Sequence, residues 1–123
     1  MAERPIDASV RRRPELVVID LHGDIDIEAD QALRSVYTEA ADGPDPVLLN
    51  FDDVGYINST GIALIVGLLA RARAEHRPVT ACGLSEHYRQ IFAITKLSDF
   101  MPLFADEEAA AEHEAPAQAR RQS

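Results

Sequence analysis

Residues 47–69 read VLLNFDDVGYINSTGIALIVGLL, and this stretch decides the fold. Val47-Leu48-Leu49-Asn50-Phe51 is short, apolar and β-favouring, which predicts a central strand ending at Asp52-Asp53. Val54 to Asn58 reads as a connection. From Gly61 to Ala74 the chain is apolar nearly all round until Arg71 and Arg73, as in a helix buried against a sheet. Gly67 would allow two backbones to approach there, and Pro78 stops the run. A strand feeding a helix is the repeating unit of layered α/β domains. The polar mouth between them, Asn58-Ser59-Thr60-Gly61, lies where such sheets carry their sites.

Working outward, Leu16-Val17-Val18-Ile19-Asp20-Leu21 reads as a strand. A turn is expected at His22-Gly23-Asp24, and a pairing partner around Ile6 to Val10. Ile27 to Ala41 carries Ala29, Ala32, Leu33, Val36 and Ala40 at helical spacing, and Asp42-Gly43-Pro44-Asp45-Pro46 ends that helix. Downstream, Val79 to Cys82 is a further strand. Ser85 is an N-cap for a helix bearing Tyr88, Ile91, Phe92 and Thr95. Between Phe92 and Phe104 the chain reads as a core-closing connection. Met101-Pro102-Leu103-Phe104 suits only a sheet edge, since Pro102 cannot donate to a ladder. Asp106-Glu107-Glu108 opens a last, Ala-rich helix with its acids at the favourable end. The expected architecture is an α/β domain over residues 1–113, a small mixed β-sheet flanked by about four α-helices. Residues 114–123 are rich in Ala, Pro, Gln and Arg, and are expected to form a disordered tail.

Composition narrows the function. With 46% hydrophobic and 27% charged residues, the chain has the make-up of a soluble globular protein. The formal net charge of −9 argues against nucleic acid or an anionic membrane surface as a partner. A single cysteine, Cys82, excludes an intramolecular disulfide and multi-cysteine zinc sites, and reads as a small core residue. His22, His76, His87 and His113 have no metal-like spacing, so no metal or other cofactor is expected. Met1 to Arg13 lacks a secretory apolar region, and Gly61 to Ala70 is too short to cross a bilayer. A cytoplasmic setting is expected.

The chemistry at the helix mouth can be narrowed in the same way. A phosphate-cradling loop needs GxxxxGK[ST] or GxGxxG, and here no lysine follows Gly61 and Gly67. A hydrolase elbow needs GxSxG, but residue 57 is isoleucine. Asp52 and Asp53 form a poor carboxylate pair, because neighbours on a strand point to opposite sides. No catalytic residue is expected, and the protein is not read as an enzyme. Two readings remain. Asn58 or Ser59 caps the helix, which is worth about 1 kcal/mol. Alternatively, a hydroxyl here is a phosphorylation switch, since the helix dipole tolerates a phosphate that a docked partner would feel. Tyr56 and Ile57, with some of the apolar residues after the mouth, could then form an exposed docking patch.

Three segments together carry a family likeness: LHGDIDIEADQALR, VLLNFDDVGYINSTGIALIVGLL and ACGLSEHYRQIFAITKLSDFMPLFADEEAA. From Leu16 to Ala110 they resemble the STAS domain of bacterial anti-sigma factor antagonists. The resemblance implies a small sheet flanked by helices. It also implies a protein that binds an anti-sigma factor of serine-kinase (GHKL) type when unphosphorylated, and so frees a sigma factor. The kinase would phosphorylate the serine of a D-S-[ST]-G motif, and a PPM-type phosphatase would reverse it. By position that serine is Ser59, with Thr60 the less favoured acceptor. The implied partner-binding residues are Asp26, Tyr56, Asn58, Ser59, Thr60 and Gly61. Asn58 departs from the pattern, standing where the family has aspartate. It keeps open the alternative of a STAS scaffold or adaptor in a stress-signalling assembly with no phosphate cycle.

Overall fold

A computed structural model of the chain describes residues 4–113, and the tail expected over 114–123 lies outside the described residues. Five strands form one mixed sheet in the order of the chain: β1 (Asp7–Arg13), β2 (Leu16–Ile25), β3 (Val47–Ile57), β4 (Val79–Cys82) and β5 (Leu103–Phe104). β1 runs antiparallel to β2, and the remaining neighbours are parallel. The helices α1 (Asp30–Ala40), α2 (Ser59–Ala74) and α3 (Glu86–Ile94) are the three crossovers, and residues 107–113 form α4. Each crossover moves one strand along in the same direction. With the shared hand that parallel connections adopt, all three helices fall on one face of the sheet.

The central strands are therefore buried on both sides, which explains their unbroken apolar runs. Toward α1, α2 and α3, Val17, Ile19, Leu49 and Phe51 pack with Leu33, Tyr37, Ile65 and Phe92. On the opposite face Leu16, Val18, Leu48 and Cys82 pack beneath Ala110 of α4. Cys82 is buried, as expected, and burial pushes its thiol up to about 11, so it stays protonated at neutral pH. Ion pairs hold α4 down: Arg13 reaches Glu107 at 2.7 Å and Glu108 at 3.1 Å. Arg11 bridges Glu107, at 2.7 Å, and the Asp20 carboxylate. β5 is the short edge strand foreseen at Pro102.

Four local expectations need correction. His22-Gly23-Asp24 is not a turn, because β2 continues through it to Ile25. Gly23 makes this possible: its φ is +100°, and a Cβ there would lie 2.3 Å from the Pro5 carbonyl oxygen. The Asp24 N–H then donates to the Arg4 carbonyl at 2.9 Å, with register irregularities on either side of His22 and Gly23. β3 likewise does not stop at Asp52-Asp53. Those carboxylates are exposed in mid-strand, and Val54 to Ile57 pairs on with Gly23 to Ile25 instead of forming a connection. The helix expected from Ile27 begins as a 3-10 turn, Ile27–Ala29, before α1 starts at Asp30. Gly67 is exposed and a Cβ there would meet nothing within 4 Å, so it marks no close approach. The close approach is at Gly61.

Candidate functional site

The ends of β2 and β3 and the start of α2 meet at one corner, through the Ile25 carbonyl. That oxygen accepts the Asn58 N–H at 3.2 Å, and it would lie 2.1 Å from a Cβ on residue 61. Only glycine allows the helix to sit so close to the end of β2. Asn58 is the N-cap: its backbone is extended, and its Oδ1 accepts the Gly61 N–H at 2.8 Å. Its carbonyl accepts the Ile62 N–H at 2.9 Å. Of the two candidate caps, asparagine does the work and Ser59 does not. Ser59 occupies the first helical position, exposed, and its hydroxyl has no hydrogen-bond partner among the described residues.

The neighbouring residues are fixed just as locally. Asp26 follows Ile25 directly, and its carboxylate accepts the Glu28 N–H at 3.0 Å to cap the 3-10 turn. Tyr56 is 57% exposed at the end of β3, and Ile27 is 63% exposed on the turn. Thr60 is half-buried and Gly61 buried. Asp26 and Asn58 to Gly61 are thus joined by the Ile25 carbonyl, and Tyr56 stands two residues before the cap. Ile57, expected in an exposed patch with Tyr56, is buried at 4% exposure, because the alternation of β3 turns it into the core. Along α2, Ile65, Leu68 and Leu69 are buried, Ile62 and Leu64 half-buried, and Val66 exposed.

Two contributors were not foreseen. Tyr88 of α3 accepts the Ile57 N–H with its hydroxyl at 2.9 Å in a buried position, clamping the end of β3 from beneath. Its place on the apolar stripe of α3 was legible, but not the hydroxyl's target. Ile27 was legible as a large apolar residue lying off the stripe of α1. No Lys or Arg occurs from Val54 to Ala70, and the positive end of the α2 dipole favours an anion at Ser59. Asp53 turns toward His22, whose Nδ1 lies 2.8 Å from its carboxylate, and toward Arg4 at 3.7 Å. The hydrogen bond to His22 holds the Asp53 carboxyl below the usual range.

Comparison with known proteins identifies the family and agrees with the fold. The family model described as STAS domain matches residues 7–110. The anti-sigma-B factor antagonist of Staphylococcus aureus is 30% identical over 84 residues, covering 68% of this chain and 78% of that protein. Among solved structures, an anti-sigma factor antagonist from Mycobacterium paratuberculosis superposes with a TM-score of 0.75 at 17% identity, over 89% of this chain and 93% of that one. The Bacillus cell fate determinant SpoIIAA, in its phosphorylated form, gives 0.65 at 23% identity, over 86% and 98%. At those identities the two structures speak to the fold.

Proposed function

The chain belongs to the STAS domain family of anti-sigma factor antagonists, and from that premise we propose that it binds an anti-sigma factor and so releases a sigma factor in the cytoplasm. The partner is of the serine-kinase (GHKL) type, it binds the unphosphorylated form, and it ends the interaction by phosphorylating Ser59. A PPM-type phosphatase restores the active form. The protein itself acts by binding, without catalysis.

One observation carries this reading: the Ser59 hydroxyl is exposed at the first position of α2 and is not used by the fold, because Asn58 provides the cap. A phosphate there adds about −1.5 to −2 charges beside free helix N–H groups. The domain keeps its structure, while a partner pressed against Asp26, Tyr56 and Ser59 meets a new charge. Like charges juxtaposed in an interface cost several kcal/mol, and each 1.4 kcal/mol is about tenfold in affinity. Asn58 fits the scheme, since asparagine caps about as well as aspartate and leaves no carboxylate next to the phosphate. SpoIIAA, which shares the fold, has been seen phosphorylated.

The test is phosphosite mapping on protein taken from its native cells, in growth and under stress, with phosphatases inhibited. Phosphate on Ser59 that varies with conditions is expected, with Ser59→Ala retaining the co-purifying kinase and Ser59→Asp losing it. Equal retention by both variants overturns the switch. The second reading, an adaptor without a phosphate cycle, is favoured by the neutral Asn58. It requires an unmodified Ser59 and association on a sizing column with no kinase present.

A further inference from the structure

A groove of about 630 Å³ opens where the last turns of α2 pass β4 and the segment after α3. Its floor is apolar: Leu69, Val79 and Leu97 are nearly buried, whereas Val66 and Phe100 are 45% and 56% exposed at its lip. Apart from Thr95, its polar side chains are all basic. Arg73, His76, Arg77 and Lys96 line it, and no Asp or Glu does, in a chain with 21 acids against 12 Lys and Arg.

Elsewhere the acids consume the cations. Arg4, Arg11, Arg13, Arg34 and Arg71 are ion-paired and Arg12 donates to a carbonyl, while Arg77 in the groove lining pairs with Glu75 at 3.7 Å. Among the described lysines and arginines, only Arg73, Arg89 and Lys96 have neither an ion pair nor a hydrogen bond from the side chain. Two of those three face the same groove. Arg73 lies over the Phe100 ring at 5.1 Å, which spreads the cation across the apolar lip. Arg77 is part of the wall, donating to the carbonyls of Asp45 and Ala41 at 2.7 and 3.2 Å.

The backbone adds an independent sign. His76 and Lys96 sit at helix ends with φ of 58° and 69°, the left-handed conformation that glycine adopts at such positions without strain. Both line the groove. A side chain is thus held at each of the two strained positions beside it, and both side chains are basic. Strained residues of this kind gather at ligand sites.

We propose that this groove is a binding site for an amphipathic anion, a small molecule with an apolar body and one carboxylate or phosphate head. The body lies on Leu69, Val79 and Leu97, and the head meets Lys96 and Arg73. The volume and the mix of an apolar lining with a few convergent polar groups are those of small-molecule pockets. Charge complementarity selects the occupant. Ser59 is about 20 Å away along the α2 axis, so the site is separate from the phosphorylation corner and does not depend on its reading.

The experiment titrates the full chain with n-decanoate, below its micelle-forming range, and with 1-naphthyl phosphate, following amide resonances. Decanol and decyltrimethylammonium serve as matched neutral and cationic probes. Saturable shifts centred on Leu69, Val79, Leu97 and Phe100 are expected for at least one anion, with the other two probes much weaker. Lys96→Gly relieves the backbone strain, so it is expected to melt at or above the parent temperature while binding the anion about tenfold more weakly. Ser59→Asp is expected to bind like the parent. Absence of saturable binding by both anions overturns the proposal, as do equal binding of decanol and decanoate or undiminished binding by Lys96→Gly.

Discussion

At the scale of single residues, two atoms hold the corner in place: the Ile25 carbonyl oxygen and the Tyr88 hydroxyl. Gly61→Ala drives a methyl against that carbonyl, where backbone and not a flexible side chain must yield. Overpacking of this kind costs about 1–3 kcal/mol, so the urea midpoint of Gly61→Ala is expected to fall accordingly. Tyr88→Phe keeps the ring in the core and removes only the acceptor for the Ile57 N–H. A buried donor left without a partner costs about 1–3 kcal/mol, again readable by urea unfolding. The second variant carries more information. Its amide exchange is expected to rise at Ile57 and Asn58 while the centre of β3 stays protected. The NSTG signal was legible in the sequence because a cap, a hydroxyl and a glycine adjoin an apolar run. That Gly61 is fixed by a carbonyl on β2, 36 residues earlier, was not, since spacing along a chain says nothing of approach in space.

Among elements, α4 is distinctive in being held by charge as much as by apolar contact. Hydrogen bonds from Arg11 hold both the Asp20 and the Glu107 carboxyls below their ordinary range, with Asn50 assisting the first and Arg13 the second. A carboxylate whose pKa is depressed in the folded state stabilises the protein above its unfolded pKa and loses that contribution as pH falls through the folded value. Stability is therefore expected to be level above about pH 5 and to decline below about pH 4, with α4 loosening first. Glu107→Gln is expected to lower stability at neutral pH and flatten the acid limb, which denaturant titrations across pH would record. The strands and helices themselves were legible from periodicity, including the short edge strand at Pro102. The failures came at strand ends. His22-Gly23-Asp24 and Asp52-Asp53 look like turn punctuation, but the two polar stretches lie side by side on neighbouring strands, with His22 opposite Asp53. They extend the sheet together, and a reading of either strand alone stops both.

Across the whole molecule, the consecutive strand order puts three helices on one face and leaves the other to α4. The Ser59 corner and the basic groove then fall at opposite ends of one helix, α2. Because Ser59 supports nothing in the fold, Ser59→Asp is expected to leave the unfolding free energy within about 0.5 kcal/mol of the parent. A larger loss in thermal or urea unfolding would mean that the hydroxyl serves the fold after all. The borders of the sheet set a different limit. One border is β1, whose Arg11-Arg12-Arg13 run is engaged by α4 and by the Glu39 carbonyl, and the other is only two residues long and follows a proline. The second is too short to pair at length with a passing chain, and the first presents a run of charged side chains beside its outer amides and carbonyls. The two ends of the sheet thus disfavour edge-to-edge pairing by different means, one by charge and the other by brevity.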